Sequence, residues 1–296
     1  MIFEVARQVS GLMITVFVVS SLLNVGLTQK PSRFRAHLQK GHFLSRMLLA
    51  NLILVPSVMV MAVTVIDLEP IYASGLLVFG LSAGAPFLIA LTRETKDDIS
   101  LAATVMTVLI VGTVILLPIL LPRLIEDVTV DVWAIIRGLF LQMLLPMALG
   151  MAVRQWAVPL AALVQPWVAR ISSFALYALL ATMILGYLPA MGDLDLWKAI
   201  ITGQVVILIA LFIGYMMGDG RDHLKRVGGL ATAQRNTAAA MIVAGTNFSD
   251  PRAVVVVTMV NTLGLVMLMG AAKLMSRDAE ILLTPIGADV PQRRTD

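Results

Sequence analysis

A chain of 296 residues that is 59% hydrophobic and 14% charged, without cysteine and with a mean hydropathy of +0.91, reads as an integral membrane protein, because a soluble domain carries about 25% charged residues. The formal net charge of +4 is not a nucleic-acid signal, since placement of basic residues in a membrane protein matters more than their sum. The lack of cysteine excludes disulfides, thiol chemistry and zinc–thiolate sites. The three histidines, His37, His42 and His223, fall in connecting segments, so no metal cluster is expected at membrane depth.

Crossing a bilayer takes roughly 20 apolar residues. Nine segments qualify: 8–28, 43–66, 70–92, 99–121, 131–153, 164–188, 196–218, 223–245 and 252–274. The first is too long for a cleavable signal and lacks a small-residue cleavage site; a basic link with Arg33 and Arg35 follows it. The second carries Asn51. The third is interrupted at Gly80-Leu81-Ser82-Ala83-Gly84-Ala85-Pro86, where Gly84 and Pro86 break the helical hydrogen-bond ladder. Asp97-Asp98 leads into the fourth, which holds Ser100, Thr104 and Thr107. The fifth opens on Asp131, Trp133 and Arg137, and Arg137 is expected to snorkel to the interface. Trp156 and Trp167, placed in the loop before the sixth, read as interfacial anchors. The seventh carries Gln204. The eighth is expected to break from Gly228 and Gly229 through Gln234-Arg235-Asn236-Thr237, and the ninth, after Asp250, contains Thr258, Asn261 and Thr262. Residues 276–296 are polar and read as a loose tail.

Lys and Arg set the orientation. Of the 22, 16 lie on one side of the alternating connections and four on the other, with Arg137 and Arg235 left over. This asymmetry places the N-terminus outside and the C-terminus in the cytoplasm of a cell membrane, in the manner of a bacterial inner-membrane protein. Each broken segment is followed by an acidic connection and one more helix with buried-looking polar residues. The chain therefore divides into two halves, 1–122 and 123–275, plus the tail 276–296. Interrupted helices in corresponding positions of two halves point to the binding site of a secondary transporter.

Arg235 is the informative residue. It lies about twelve residues into its segment, or about 18 Å along a regular helix, and the membrane segments contain no carboxylate beyond Asp131 at the edge of the fifth. A charge at that depth is tolerated only against a protein interior or a wet cavity. An anion from outside the chain is the expected partner, since a guanidinium donates two parallel hydrogen bonds to a carboxylate or sulfonate. Gln234, Asn236 and Thr237 either line the same cavity or satisfy backbone freed by the break. Ser82 belongs to the facing break, and Asn261 lies on the helix that follows the second break. Asn24, Asn51, Gln142 and Gln204 read as interhelical glue or ligand contacts. Ser100 and Thr104 share a helix face, although hydroxyls at such positions more often bond back one turn. Acid–base and metal constellations for an enzyme are absent at depth.

The chain resembles the bile acid:sodium symporter superfamily. The resemblance is carried by Pro31-Ser32-Arg33-Phe34-Arg35-Ala36-His37-Leu38, by Leu81-Ser82-Ala83-Gly84-Ala85-Pro86-Phe87, and by Gln234-Arg235-Asn236-Thr237-Ala238-Ala239-Ala240 leading to Asn247-Phe248-Ser249-Asp250-Pro251. It implies an all-α membrane protein of about nine helices, built as inverted repeats with two broken helices crossing in a core domain beside a panel domain. It also implies transport of organic anions by alternating access, often coupled to sodium.

Family members with sodium sites carry a glutamate and a glutamine in the second broken helix. With Asn236 aligned to the asparagine after that glutamine, Arg235 takes the glutamine position and Ala231 the glutamate position. The serine–asparagine pair of the first broken helix meets Ala85, Pro86 and Phe87 instead. Ser100 and Thr104 match the hydroxyl ligands of the next helix after a one-residue insertion. The expectation is therefore a carrier for a small or amphipathic organic anion, with Arg235, Gln234, Asn236, Thr237, Ser82 and Asn261 at the substrate, no cofactor, and doubtful sodium coupling. Two competing readings are a non-transporting sensor on the same fold and a sodium symporter with a relocated ion site. Membrane lipid is the other expected partner, and nucleic acid is not one.

Overall fold

A computed structural model describes residues 2–29, 31–125, 131–187 and 192–283. Every element in these stretches is helical: α1 (Ile2–Thr28), α2 (Pro31–Leu38), α3 (Gly41–Leu49), α4 (Val55–Val65), α5 (Pro70–Leu81), α6 (Leu88–Glu94), α7 (Ile99–Leu124), α8 (Val132–Leu139), α9 (Leu145–Trp156), α10 (Val158–Tyr187), α11 (Leu194–Met216), α12 (Asp222–Ala233), α13 (Thr237–Asn247) and α14 (Arg252–Leu283). Helices are the expected outcome where no water can satisfy backbone groups. Among the described residues, six helical rods are long and apolar enough to cross a membrane: 9–28, 41–65, 99–124, 132–156, 194–216 and 252–276. Val65, Phe174, Tyr177 and Leu194 are at least 70% exposed, an outward apolar belt that suits lipid and not water. The protein is thus a multi-pass membrane protein.

Two rods contain a single wider turn, Ala50–Leu54 between α3 and α4 and Phe140–Leu144 between α8 and α9. A proline follows each at the start of the next helix, Pro56 and Pro146. A proline ring clashes with the carbonyl four residues back, and an i→i+5 turn relieves that clash. Carboxylate and amide caps start other helices: Asp98 accepts from the backbone N–H of Ser100 at 2.8 Å, and Asp131 from that of Ala134 at 2.9 Å. Such caps satisfy the donors left over in a first turn.

The helices pack in two groups. α1 lies along α9 and α10, while α5, α11, α12, α13 and α14 pack against one another with α4, α6 and α7 around them. Each group contains a close crossing between glycines. A Cβ on Gly26 of α1 would stand 2.3 Å from the Met147 carbonyl oxygen of α9, and a Cβ on Gly150 of α9 would stand 2.5 Å from that of Leu23. In the other group, Gly214 of α11 meets Gly228 of α12 in the same reciprocal way. Small residues at such crossings let backbones approach where lipid offers no hydrophobic drive.

Three expectations change. Trp167 is not in a loop: α9 and α10 are separated by Ala157 alone, and Trp167 lies within α10, still largely exposed, with Arg170 over its ring at 5.0 Å. The tail begins as helix, since α14 continues to Leu283; residues 284–296, with Arg293 and Arg294, and the acidic Glu126 and Asp127 lie outside the described residues. Gly228 and Gly229 are helical, as described next.

Candidate functional site

The first break falls where the sequence places it. α5 ends at Leu81, residues 82–85 are not helical, and Pro86 enters the turn before α6. Gly84 has φ +81°, a conformation that side chains with a Cβ rarely adopt. Thr113 of α7 holds the freed backbone, accepting from the Ala83 N–H at 2.9 Å and donating to the Ala83 carbonyl at 3.1 Å. The second break is shorter than expected. α12 runs through Gly228 and Gly229 to Ala233, and only residues 234–236 leave the helix. The two glycines are used for close approach to α11, which overrides their weak helix propensity.

The two breaks touch. The backbone N–H of Asn236 donates to the Ser82 carbonyl at 2.9 Å, and its side-chain Nδ2 donates to the Gly84 carbonyl at 2.8 Å. Asn236 Oδ1 meanwhile accepts from the Ala239 N–H at 3.1 Å and caps α13. One asparagine thus ties both interruptions together and starts a half-helix.

Arg235 is 2% exposed, and its hydrogen bonds run to neighbouring helices. Nη1 donates to Asn51 Oδ1 at 3.0 Å, Nη2 donates to the Asn51 carbonyl at 3.2 Å, and Nη2 also donates to the Gly80 carbonyl. Both carbonyls are free for identifiable reasons. The Val55 N–H bonds to Ala50 in the wide turn, so the Asn51 carbonyl would need a donor from position 56, and Pro56 has none. Gly80 lies at the C-terminal end of α5, where carbonyls lack helical partners and the helix dipole is negative. The amide of Asn51 is itself fixed: Nδ2 donates to the Met47 carbonyl at 3.0 Å and to Thr232 Oγ1 at 2.9 Å, leaving Oδ1 for the guanidinium. Arg235 Nε has no partner among the described residues.

Beside this cage lies a cleft lined by Gln234, Arg235, Asn236, Thr237 and Asn261 from one helix group and by Phe17 of α1 and Leu176 of α10 from the other. Gln234 Nε2 reaches Asn261 Oδ1 at 3.4 Å, and the Thr237 hydroxyl is buried without a partner among the described residues. The cleft has about 30 Å³ of space, room for water but not for an organic ligand, whose pockets run to roughly 300 Å³ or more. Ser82 is fully buried and bonds back to the Val78 carbonyl at 2.8 Å; its side chain stays off the cleft. Ser100 and Thr104 lie elsewhere. Thr104 bonds back to the Ser100 carbonyl at 2.8 Å and accepts from Gln29 Nε2 at 3.3 Å, while Ser100 lines a separate hollow with Thr28 and Arg33. Asn51 was legible only as interhelical glue or a ligand contact, not as the acceptor for Arg235. Its spacing five residues before Pro56 was the overlooked signal, and nothing local marked Thr113 or Thr232.

Ion pairs close both ends of the crossing. Asp97, after α6, takes both arms of Arg226 from α12 at 2.6 and 2.9 Å. Arg252, at the start of α14, reaches Glu69 before α5 at 2.6 Å and Asp250 at 2.8 Å. The Arg252 hydrogen bonds hold the Asp250 carboxyl below its usual pKa. Each connection after a broken helix is thereby clasped to the beginning of the other broken helix.

A family model described as the Sodium Bile acid symporter family matches residues 13–191, taking in the first broken helix and ending before the second. No curated protein matches the chain in sequence. With more than half of its 296 residues matched, the chain belongs to the Sodium Bile acid symporter family, a family of membrane transporters.

Proposed function

We propose that the protein is a secondary carrier for a small organic anion, working by alternating access about the crossing of α5–α6 and α12–α13. One observation carries this reading: the cleft at the crossing lies on the seam between the two helix groups, with lining residues from both. A cleft of about 30 Å³ admits an organic anion only when the groups separate, and separation toward either side is alternating access. The N-terminus of the eleven-residue α13 opens onto the cleft at Thr237 and Ala238, and half-helix N-termini favour anionic groups.

In this reading α10 and the two broken pairs add to the six apolar rods to give nine crossings. Residues 1–122 and 123–275 form inverted repeats, a relation supported by the matching clasps Asp97–Arg226 and Arg252–Glu69. α1, α9 and α10 form the panel and the remaining spans the core. The N-terminus is outside, and the tail 276–296 is cytoplasmic. Gln234, Thr237 and Asn261 contact the anion, while Arg235 sets the positive potential beneath it.

Uptake of labelled taurocholate and small carboxylates into proteoliposomes tests this. Concentrative or exchange flux is expected, weakened by Asn261→Leu and Gln234→Leu. Saturable binding with no flux of any anion would replace the carrier by a receptor on the same fold.

A further inference from the structure

We infer that Arg235 is a built-in cation standing in for a coupling ion, so that transport by this chain does not draw on a sodium gradient. The inference rests on the carrier reading above. Coupling cations in broken-helix transporters lie against unwound carbonyls and the C-terminal ends of half-helices. Here that position, between the end of α5 and the wide turn at Ala50–Leu54, is filled by the guanidinium. Its acceptors are Asn51 Oδ1 at 3.0 Å, the Asn51 carbonyl at 3.2 Å and the Gly80 carbonyl. These are three neutral oxygens of the kind that hold a hard cation, and each already receives an N–H from a side chain that stays protonated.

The residues present do not fit sodium at this place. The cage contains no carboxylate among the described residues, and each of its three oxygens is already taken by the guanidinium. A second cation there would meet a permanent positive charge with no counter-charge among the described residues in a buried site. The sequence around the cage is built for the guanidinium: Pro56 withholds the donor that would otherwise occupy the Asn51 carbonyl, and Thr232 orients the Asn51 amide. With no anionic side chain paired to it among the described residues, Arg235 leaves the cleft electropositive, and the transported anion is its counter-ion.

The test compares sodium, potassium and choline media on the purified protein, by thermal unfolding and by taurocholate flux in proteoliposomes. Equal unfolding temperatures and equal flux in the three media are expected. A sodium-specific rise in unfolding temperature, or flux that requires sodium, overturns the inference, and the unfolding arm decides this even if no flux is found and the carrier reading itself fails. Arg235→Gln is expected to lower flux by about tenfold or more, as removal of a charged partner does, and to make unfolding sodium-sensitive by vacating the carbonyls. Arg235→Lys, which keeps the charge, is expected to retain sodium-independent flux. Arg235→Gln with undiminished flux in all media also overturns the inference.

Discussion

Arg235 and Asn51 are 184 residues apart in sequence and meet at 3.0 Å, with the asparagine offering both its side-chain and its backbone oxygen to one guanidinium. The contact joins the second break to the wide turn of another rod. It gives two stray carbonyls and the Asn51 amide oxygen a shared donor, while the positive charge keeps no counter-charge among the described residues. This contact and three other features of the fold can each be tested by measurement.

Asn51→Leu removes the Oδ1 acceptor and leaves Thr232 without its donor. A hydrogen bond to a charged group contributes about 1.5–3 kcal/mol, so the variant is expected to unfold several degrees lower in detergent. Pro56→Ala supplies a backbone donor that competes for the Asn51 carbonyl but leaves the Oδ1 acceptor in place, and is expected to cost less. If Asn51→Leu unfolds at the wild-type temperature, the cage contributes nothing to stability.

The Asp97–Arg226 fork is bidentate, and the Asp97 side chain is 3% exposed and that of Arg226 17%. Breaking such a pair from one side leaves a buried charge and costs about 3–5 kcal/mol. Asp97→Ala and Arg226→Ala should each destabilise strongly, and the double variant by clearly less than their combined effect. A double-mutant cycle on unfolding free energy reads this; strict additivity would show that the clasp is not an energetic unit.

Gly214 and Gly228 leave no room for a methyl group. A Cβ on Gly214 would stand 2.4 Å from the Gly228 carbonyl oxygen and 2.5 Å from Thr232 Cβ. Gly214→Ala is expected to cost about 1–3 kcal/mol by forcing α11 and α12 apart, and Gly214→Val more. Gly11, with nothing nearby to meet a Cβ, serves as the control: Gly11→Ala should change the unfolding temperature little.

His37 of α2 is held below its ordinary pKa of 6.5. Burial is the largest cause, followed by the opposing pull of Asp98, with Lys40 and Arg33 adding to the lowering. Asp98 lies 3.2 Å from Nε2, so burial outweighs a close carboxylate. The folded state binds this proton less readily than the unfolded chain. The contribution to stability is therefore complete above about pH 6.5 and is lost as pH falls below that value toward the folded pKa. Unfolding temperatures between pH 8 and pH 5 should decline for wild type below about 6.5 and decline less for His37→Gln. Parallel curves would assign the pH dependence to other groups.

Membrane insertion, the position of the first break and the isolation of Arg235 were legible in the sequence because each depends on local quantities. These are the length of an apolar run, the missing N–H of Pro86, the freedom of Gly84, and a charge with no acid in the apolar segments beyond Asp131 at the edge of one. The acids after each broken segment were also visible, but their partners were not. Asp97 finds Arg226 129 residues away, and no periodicity encodes that distance.

The tertiary structure alone decided what Arg235 touches. A guanidinium at membrane depth is equally consistent with facing a ligand and with facing carbonyls, and only the juxtaposition of α5, α12 and the turn before Pro56 selects the carbonyls. The same holds for Gly228 and Gly229, whose composition suggests a break but whose contact with α11 keeps them helical, because a helix can be held together by packing where its propensity is poor.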